Sequence, residues 1–203
     1  MSTFVDQLEE FLSPVRDLYM SRYFRRQKKW RKIGYDVEAE PKIRDMDGKV
    51  VRDGVLNLPR RSDFGLMTNN GPQYRDLGEI CNMMFEPMVI TAGSRSTVVI
   101  NPFCWKALTV SFDADDDTQR LKLVRQWYLE AFQTLRLEGD PDVNGTVHSL
   151  TGPKFQDDRW VIEIDMGSAP ISVFAALLDL LVSNGVENVF VGDAIEEKGY
   201  AVN

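Results

Sequence analysis

Histidine is almost missing from this 203-residue chain: His148 is the only one. That excludes sites built on two imidazoles, such as a two-histidine zinc centre or an H-E-x-x-H protease. Cysteine occurs twice, as Cys81 and Cys104. Each stands among apolar neighbours, and neither has a partner at metal-ligand spacing. The pair reads as two buried free thiols in a reducing compartment. No apolar run approaches the ~18 residues of a membrane span. The first residues carry Asp6, Glu9 and Glu10, not the basic-then-apolar order of a signal peptide. A cytoplasmic location is therefore expected. There is no G-x-S-x-G elbow, no G-x-G-x-x-G fingerprint and no Walker lysine. These absences favour a binding protein over an enzyme.

What is present is an ordinary globular composition, 43% apolar and 27% charged, with a net charge of -7. The charge is unevenly placed. Residues 1–62 hold fourteen Lys/Arg and ten Asp/Glu, a balance of +4. Residues 63–203 hold ten Lys/Arg and twenty-one Asp/Glu, a balance of -11. Such a split suggests either two surfaces with different partners or one surface neutralising the other.

Three segments follow from pattern: a basic aromatic helical arm at 1–35, a turn-rich polar stretch at 36–86, and an α+β core at 87–203. In the arm, Phe4, Leu8, Phe11 and Leu12 share one helical face. Ser13-Pro14 reads as the cap and first position of a second helix running to about Lys32. In the middle stretch, Asp47-Gly48 is a hairpin turn signal. Strands are expected at 88–91, 97–100, 108–112, 146–150, 160–166 and 186–191. Helices are expected from about 115 to 135 and from about 168 to 183. Thr151-Gly152-Pro153 reads as the start of a hairpin loop. From residue 108 the order is strand-helix-strand-strand-helix-strand. That is the ferredoxin-like, split βαβ pattern, expected to form one antiparallel sheet with two helices on one face. The pair at 88–100 would extend it.

The sharpest local feature is Asp113, Asp115, Asp116 and Asp117, which follow a strand and open a helix. The plainest reading is capping and compensation of the helix dipole. A calcium loop is excluded, because the glycine and position-twelve glutamate it needs are Thr118 and Val124. Val110-Ser111-Phe112-Asp113-Ala114-Asp115 resembles the nucleophile strand of haloacid-dehalogenase-like phosphatases. Val189-Phe190-Val191-Gly192-Asp193 resembles their last metal-binding strand. The resemblance implies Asp113 as nucleophile, Asp115 as acid/base and Asp193 as a Mg²⁺ ligand. It covers about a dozen residues and lacks the family's lysine before the final strand. A polymerase- or cyclase-like palm shares the topology alone, again with Asp113 on the first strand.

The second feature is the basic run Arg22, Arg25, Arg26, Lys28, Lys29, Arg31 and Lys32, interleaved with Tyr23, Phe24, Trp30 and Tyr35. Aromatics plus cations suit single-stranded nucleic acid. They equally suit an acidic protein groove, and the plainer reading is a helix whose aromatics pack on the body while its cations stay wet. The third feature is the acidic pairs Asp140/Asp142 and Asp157/Asp158. With Asp115, Asp116 and Asp117 they form candidate surfaces for a basic partner. The expected function is a non-catalytic acidic inhibitor, like an immunity protein, an antitoxin or a phage counter-defence protein. It would block a basic partner that handles nucleic acid or nucleotides, with no cofactor. Two alternatives stand beside it. One is a Mg²⁺-dependent phosphoryl-transfer enzyme centred on Asp113. The other is a structural subunit of a virion or secretion assembly. Nothing in the sequence sets the oligomeric state.

Overall fold

The structure, a computed structural model, describes residues 4–69, 71–78, 83–92, 95–113, 118–133 and 143–193. The chain begins with one long helix, α1 (Phe4–Lys32). Two helices divided at Ser13-Pro14 were expected. They are one because a single packing face runs through the proline. Leu8, Leu12, Val15, Tyr19, Met20, Tyr23 and Gln27 recur at three- and four-residue steps, and all are buried. Pro14 has no N–H for the Glu10 carbonyl, a defect that tertiary packing on both sides outweighs. Ser13 Oγ donates back to the Glu9 carbonyl (2.5 Å) in the same turn.

The stretch after α1 is more ordered than its composition suggests. β1 (Asp36–Ala39), β4 (Phe64–Thr68) and β5 (Gly71–Arg75) form an antiparallel sheet in the order β1-β4-β5. Between them, β2 (Arg52–Asp53) pairs with β3 (Leu58–Pro59). The Asp47-Gly48 turn forms as expected, with Arg44 bridging Val50. Val37, Leu58, Phe64, Leu66 and Leu77 join the same hydrophobic core as the rest of the chain.

The main sheet has six strands: β6 (Met88–Ala92), β7 (Ser96–Ile100), β8 (Leu108–Asp113), β9 (Ser149–Gln156), β10 (Arg159–Asp165) and β11 (Asn188–Gly192). Its order is β6-β7-β11-β8-β10-β9. Helices α2 (Thr118–Ala131) and α3 (Ile171–Ser183) connect β8 to β9 and β10 to β11. Each helix joins two strands with one other strand between them, so both βαβ units are split. The wholly antiparallel sheet expected from sequence is not what forms. β7 lies parallel to β11, which makes the sheet mixed. The added pair attaches beside the last strand, where Val98 and Ile100 are fully buried. α3 packs against both α1 and α2. It ends in a Schellman motif, with Gly185 at φ +79° and Val186 N–H donating to the Leu181 carbonyl (3.1 Å).

One turn falls elsewhere than expected. The strand does not end at Thr151-Gly152-Pro153, where the loop was expected to start. β9 continues through them to Gln156. β9 is an edge strand, where proline leaves no ladder bond unmade. Gly152 takes φ +103° beside a register shift between Val161 and Glu163. The reversal comes at Asp157-Asp158, both at positive φ (50° and 60°). That is the conformation of a two-residue type I′ hairpin turn.

Candidate functional site

The main concentration of ionisable groups among the described residues lies inside the protein. It forms where α1, the small sheet and the main sheet meet. Glu40 follows β1 in the left-handed region (φ 48°), which turns its carboxylate into the core. A non-glycine residue held there carries local strain. Three bonds to the carboxylate offset it. His148 Nε2 donates to Oε1 at 2.8 Å. The Ser168 N–H donates to the same oxygen at 3.1 Å. The Asn144 N–H donates to Oε2 at 2.5 Å. His148 itself immediately precedes β9, and its backbone N–H donates to the Asp165 carbonyl.

A second carboxylate, Asp63, lies on the other side of the imidazole, 3.5 Å from Nδ1. The Tyr19 hydroxyl, from α1, donates to its Oδ1. Lys106 Nζ and the Leu77 N–H donate to Oδ2 at 2.7 and 2.6 Å. Asp165 approaches Nδ1 at 3.9 Å. Arg61 donates to the Glu40 carbonyl (2.6 Å) and the Phe132 carbonyl, with its guanidinium over the Phe132 ring. Arg16 of α1 reaches the carbonyls of Ala169 and Ser168, both at 2.9 Å. Gly167 makes room for the ring. A Cβ there would stand 2.3 Å from His148 Cδ2.

Burial and charge compete in this cluster, and charge wins at the histidine. Burial alone would favour the neutral ring. The hydrogen bond and charge of Glu40, with Asp165 and Asp63, outweigh it and raise the His148 pKa to about 9. The ring is therefore an imidazolium at neutral pH. Burial works against the Glu40 carboxylate too. His148, Ser168 and Asn144 together hold its pKa below the ordinary value. Burial also opposes the charge on Lys106, but Asp63 and Asp165 push its pKa up. At Asp165 burial dominates, and the pKa rises to about 6 despite His148. Tyr19 is held neutral by burial and by Asp63. The side chains of His148, Glu40 and Asp63 are 1%, 0% and 0% exposed. Lys106 and Asp165, at the margin, keep 19% and 16%. This arrangement holds a proton firmly and fastens three structural layers. Its central pair does not face solvent.

Sequence reasoning used His148 only to exclude sites built on two imidazoles, and missed Glu40, Asp63, Lys106 and Arg61. The signal was weak. They stand in three distant segments, at no motif spacing. The Arg60-Arg61-Ser62-Asp63 run looks like surface.

The residues singled out from sequence stand elsewhere. Asp113 closes β8 with its Oδ2 accepting from the backbone and side-chain nitrogens of Asn188, at 2.9 and 2.7 Å. Arg159 lies 3.8 Å from its Oδ1. Asp193 follows β11, which runs antiparallel to β8. Asp113 sits beside Asn188 at the start of β11. Asp193 thus lies about five residues away along the strand, roughly 16 Å. The structure does not bring these two carboxylates together. Among the described residues no group of three His, Cys, Asp or Glu is placed to hold a metal ion. Asp115, Asp116, Asp117, Asp140, Asp142 and Cys81 lie outside the described residues. Cys104 is a buried free thiol, its pKa raised by burial.

Two surfaces remain. The first is the β9–β10 hairpin tip, where Asp157 and Asp158 are exposed and neither is in an ion pair with the described residues. Phe155, 57% exposed, stands beside them, edge-on to Trp160 at 5.2 Å. The second is the last turns of α1. Tyr19 and Tyr23 are fully buried, and Trp30 packs edge-on against Phe64. The arm's aromatics therefore belong mainly to the core, and its cations face outward. Arg25, Arg26, Lys28, Lys29, Arg31 and Lys32 are exposed, and Arg22 is half-buried. No helix among the described residues is long and apolar enough to cross a membrane. No family model, curated protein or solved structure matches the chain.

Proposed function

We propose that the protein is a non-catalytic binding protein that occludes a basic partner through its acidic hairpin tip. The carrying observation is the tip itself. Two carboxylates outside any ion pair with the described residues, at a type I′ turn, stand close in sequence to an exposed phenylalanine. Charge complementarity speeds encounter and selects the partner, and a buried aromatic anchor supplies affinity. Asp115, Asp116, Asp117, Asp140 and Asp142 would widen the acidic surface. An immunity-like, antitoxin-like or phage counter-defence inhibitor of a nucleic-acid- or nucleotide-handling protein fits this chemistry. The split βαβ pair reads as a ferredoxin-like core, an arrangement that hosts many unrelated activities. No cofactor is called for. Mg²⁺ chemistry at Asp113 draws less support, since its carboxylate is engaged by Asn188 and Arg159. The assembly-subunit reading is favoured by the edge strand β6, where Val89 is exposed. Light scattering that shows a defined oligomer would support it.

The test uses an arginine-rich polypeptide as probe, in calorimetric titration against the full chain. Salt-sensitive binding is expected. Asp157→Asn with Asp158→Asn keeps residues that tolerate positive φ while removing both charges. Phe155→Ser removes the anchor. The triple variant is expected to weaken binding at least tenfold. Equal binding by the wild type and the triple variant overturns the proposal.

A further inference from the structure

We propose that the outward face of α1 docks on the phosphate backbone of double-stranded nucleic acid, independently of sequence. This surface is separate from the hairpin tip. Arg25, Lys28, Lys29 and Lys32 stand at i, i+3, i+4 and i+7, so one stripe of the helix carries all four. The buried residues Tyr23 and Gln27 lie on the opposite side, turned into the body. The stripe therefore forms a ridge along the outside of the molecule. Its span is seven residues, about 10 Å at the α-helical rise.

Three observations separate this ridge from an ordinary solvated face. First, none of the four cations is in an ion pair or hydrogen bond with the described residues, although the body carries the excess of acids. Docking of the arm leaves these four charges uncompensated by the described residues. Second, within the helix no acid lies three or four residues from any of the four; Asp36, four past Lys32, stands beyond the helix end in β1. Each instead faces another cation of the stripe at that spacing, a repulsive arrangement that an external polyanion relieves. Third, complementing the helix dipole accounts only for the last turn, and Arg25 and Lys28 precede it.

The chemistry of the ridge selects its partner. Single strands bind where bases stack on exposed aromatic faces. Here Tyr19 and Tyr23 are buried and Arg26 lies over the Trp30 ring at 5.5 Å. Tyr35, beyond the helix end, is the one aromatic nearby that is open. A membrane-surface helix inserts an apolar face, and the apolar face of α1 is spent on the body. An acidic protein partner would meet no apolar anchor within the stripe. A duplex asks for none of these. It presents about one charge per 1.7 Å of axis, and a convex row of cations suffices. The net charge of -7 opposes the approach of any nucleic acid. The expected affinity is thus weak, at the non-specific level, and steeply dependent on salt.

The test is fluorescence anisotropy of the full chain with a labelled duplex of mixed sequence, across a salt series. Four phosphate contacts predict a slope of log K against log salt of about -3.6, from ~0.9 per contact. Replacing all four cations by glutamine is expected to bring the slope near zero and to lower affinity at least tenfold at low salt. Lys28→Gln with Lys29→Gln alone is expected to shorten the slope by about 1.8. Arg25→Lys, which keeps the charge, is expected to change little. A thermal melt checks folding, with the melting temperature expected to hold or rise. An unchanged slope in the folded double variant overturns the proposal. So does a single strand of the same length binding as tightly as the duplex, or binding only to vesicles of anionic lipid.

Discussion

Replacing Glu40 by glutamine tests the buried cluster through one atom. The variant keeps size and shape but loses the charge opposite His148. Two consequences follow from the geometry. The imidazolium loses its hydrogen-bonded counter-ion, leaving Asp63 at 3.5 Å and Asp165 at 3.9 Å. The amide must also present its NH₂ either to the Asn144 N–H or to the shared His148 and Ser168 donors. Breaking a buried ion pair from one side costs about 3–5 kcal/mol. The penalty depends on pH. The folded pKa of His148 is about 9, above the unfolded value of 6.5. A raised value on a cationic group stabilises the fold fully below about pH 6.5. That stabilisation, about 3 kcal/mol at ~1.4 kcal/mol per unit, declines from pH 6.5 to 9 and is absent above it. In Glu40→Gln this decline should flatten. Near pH 9.5, where the wild-type ring is already neutral, the cost of the substitution should shrink to that of unmade hydrogen bonds, about 1–3 kcal/mol. Urea unfolding followed by tryptophan fluorescence reads it directly. Trp105 is buried, and its indole N–H donates to the Gly167 carbonyl beside the cluster. A cost below about 1 kcal/mol at pH 6, or the same cost at pH 6 and 9.5, would refute the reasoning.

Other expectations are simpler. Gly167→Ala should destabilise by about 3 kcal/mol or more, since φ is +52° and the new Cβ would meet His148 and the Thr146 carbonyl; an unfolding midpoint equal to wild type would count against it. Pro14→Ala should stabilise by about 1 kcal/mol, by restoring a helical N–H against a looser unfolded chain, and a calorimetric melt decides the sign. Asp157→Asn with Asp158→Gly gives the residue pair a type I′ turn prefers. Stability should hold or rise while polypeptide binding falls, so that turn and interface are read apart in one variant.

Much of the main sheet was legible because its signals are local. Ile162, Ile164 and Met166 alternate inward, and Val124, Trp127, Tyr128 and Ala131 recur at helical steps, and all of them are buried. Three things were not legible. Pro14 looked like a boundary, because the body that holds both halves of α1 is distant in sequence. Gly152-Pro153 looked like a turn, because only tertiary position shows that β9 is an edge. The cluster was hidden most completely, since Glu40, Asp63 and His148 come together only when the small sheet packs against the main one. The unequal charge was visible from the start, and α1 docks through aromatics and Arg16 instead of through its cationic stripe.

The central claim is that recognition resides at the hairpin tip while the buried cluster holds the fold. Hydrogen exchange by mass spectrometry on the full chain, with and without the arginine-rich polypeptide, tests it most directly. The account predicts added protection over residues 154–159 and none over the backbone around Glu40 and His148. Protection confined to any other surface, or an unaltered tip at saturating polypeptide, would contradict it.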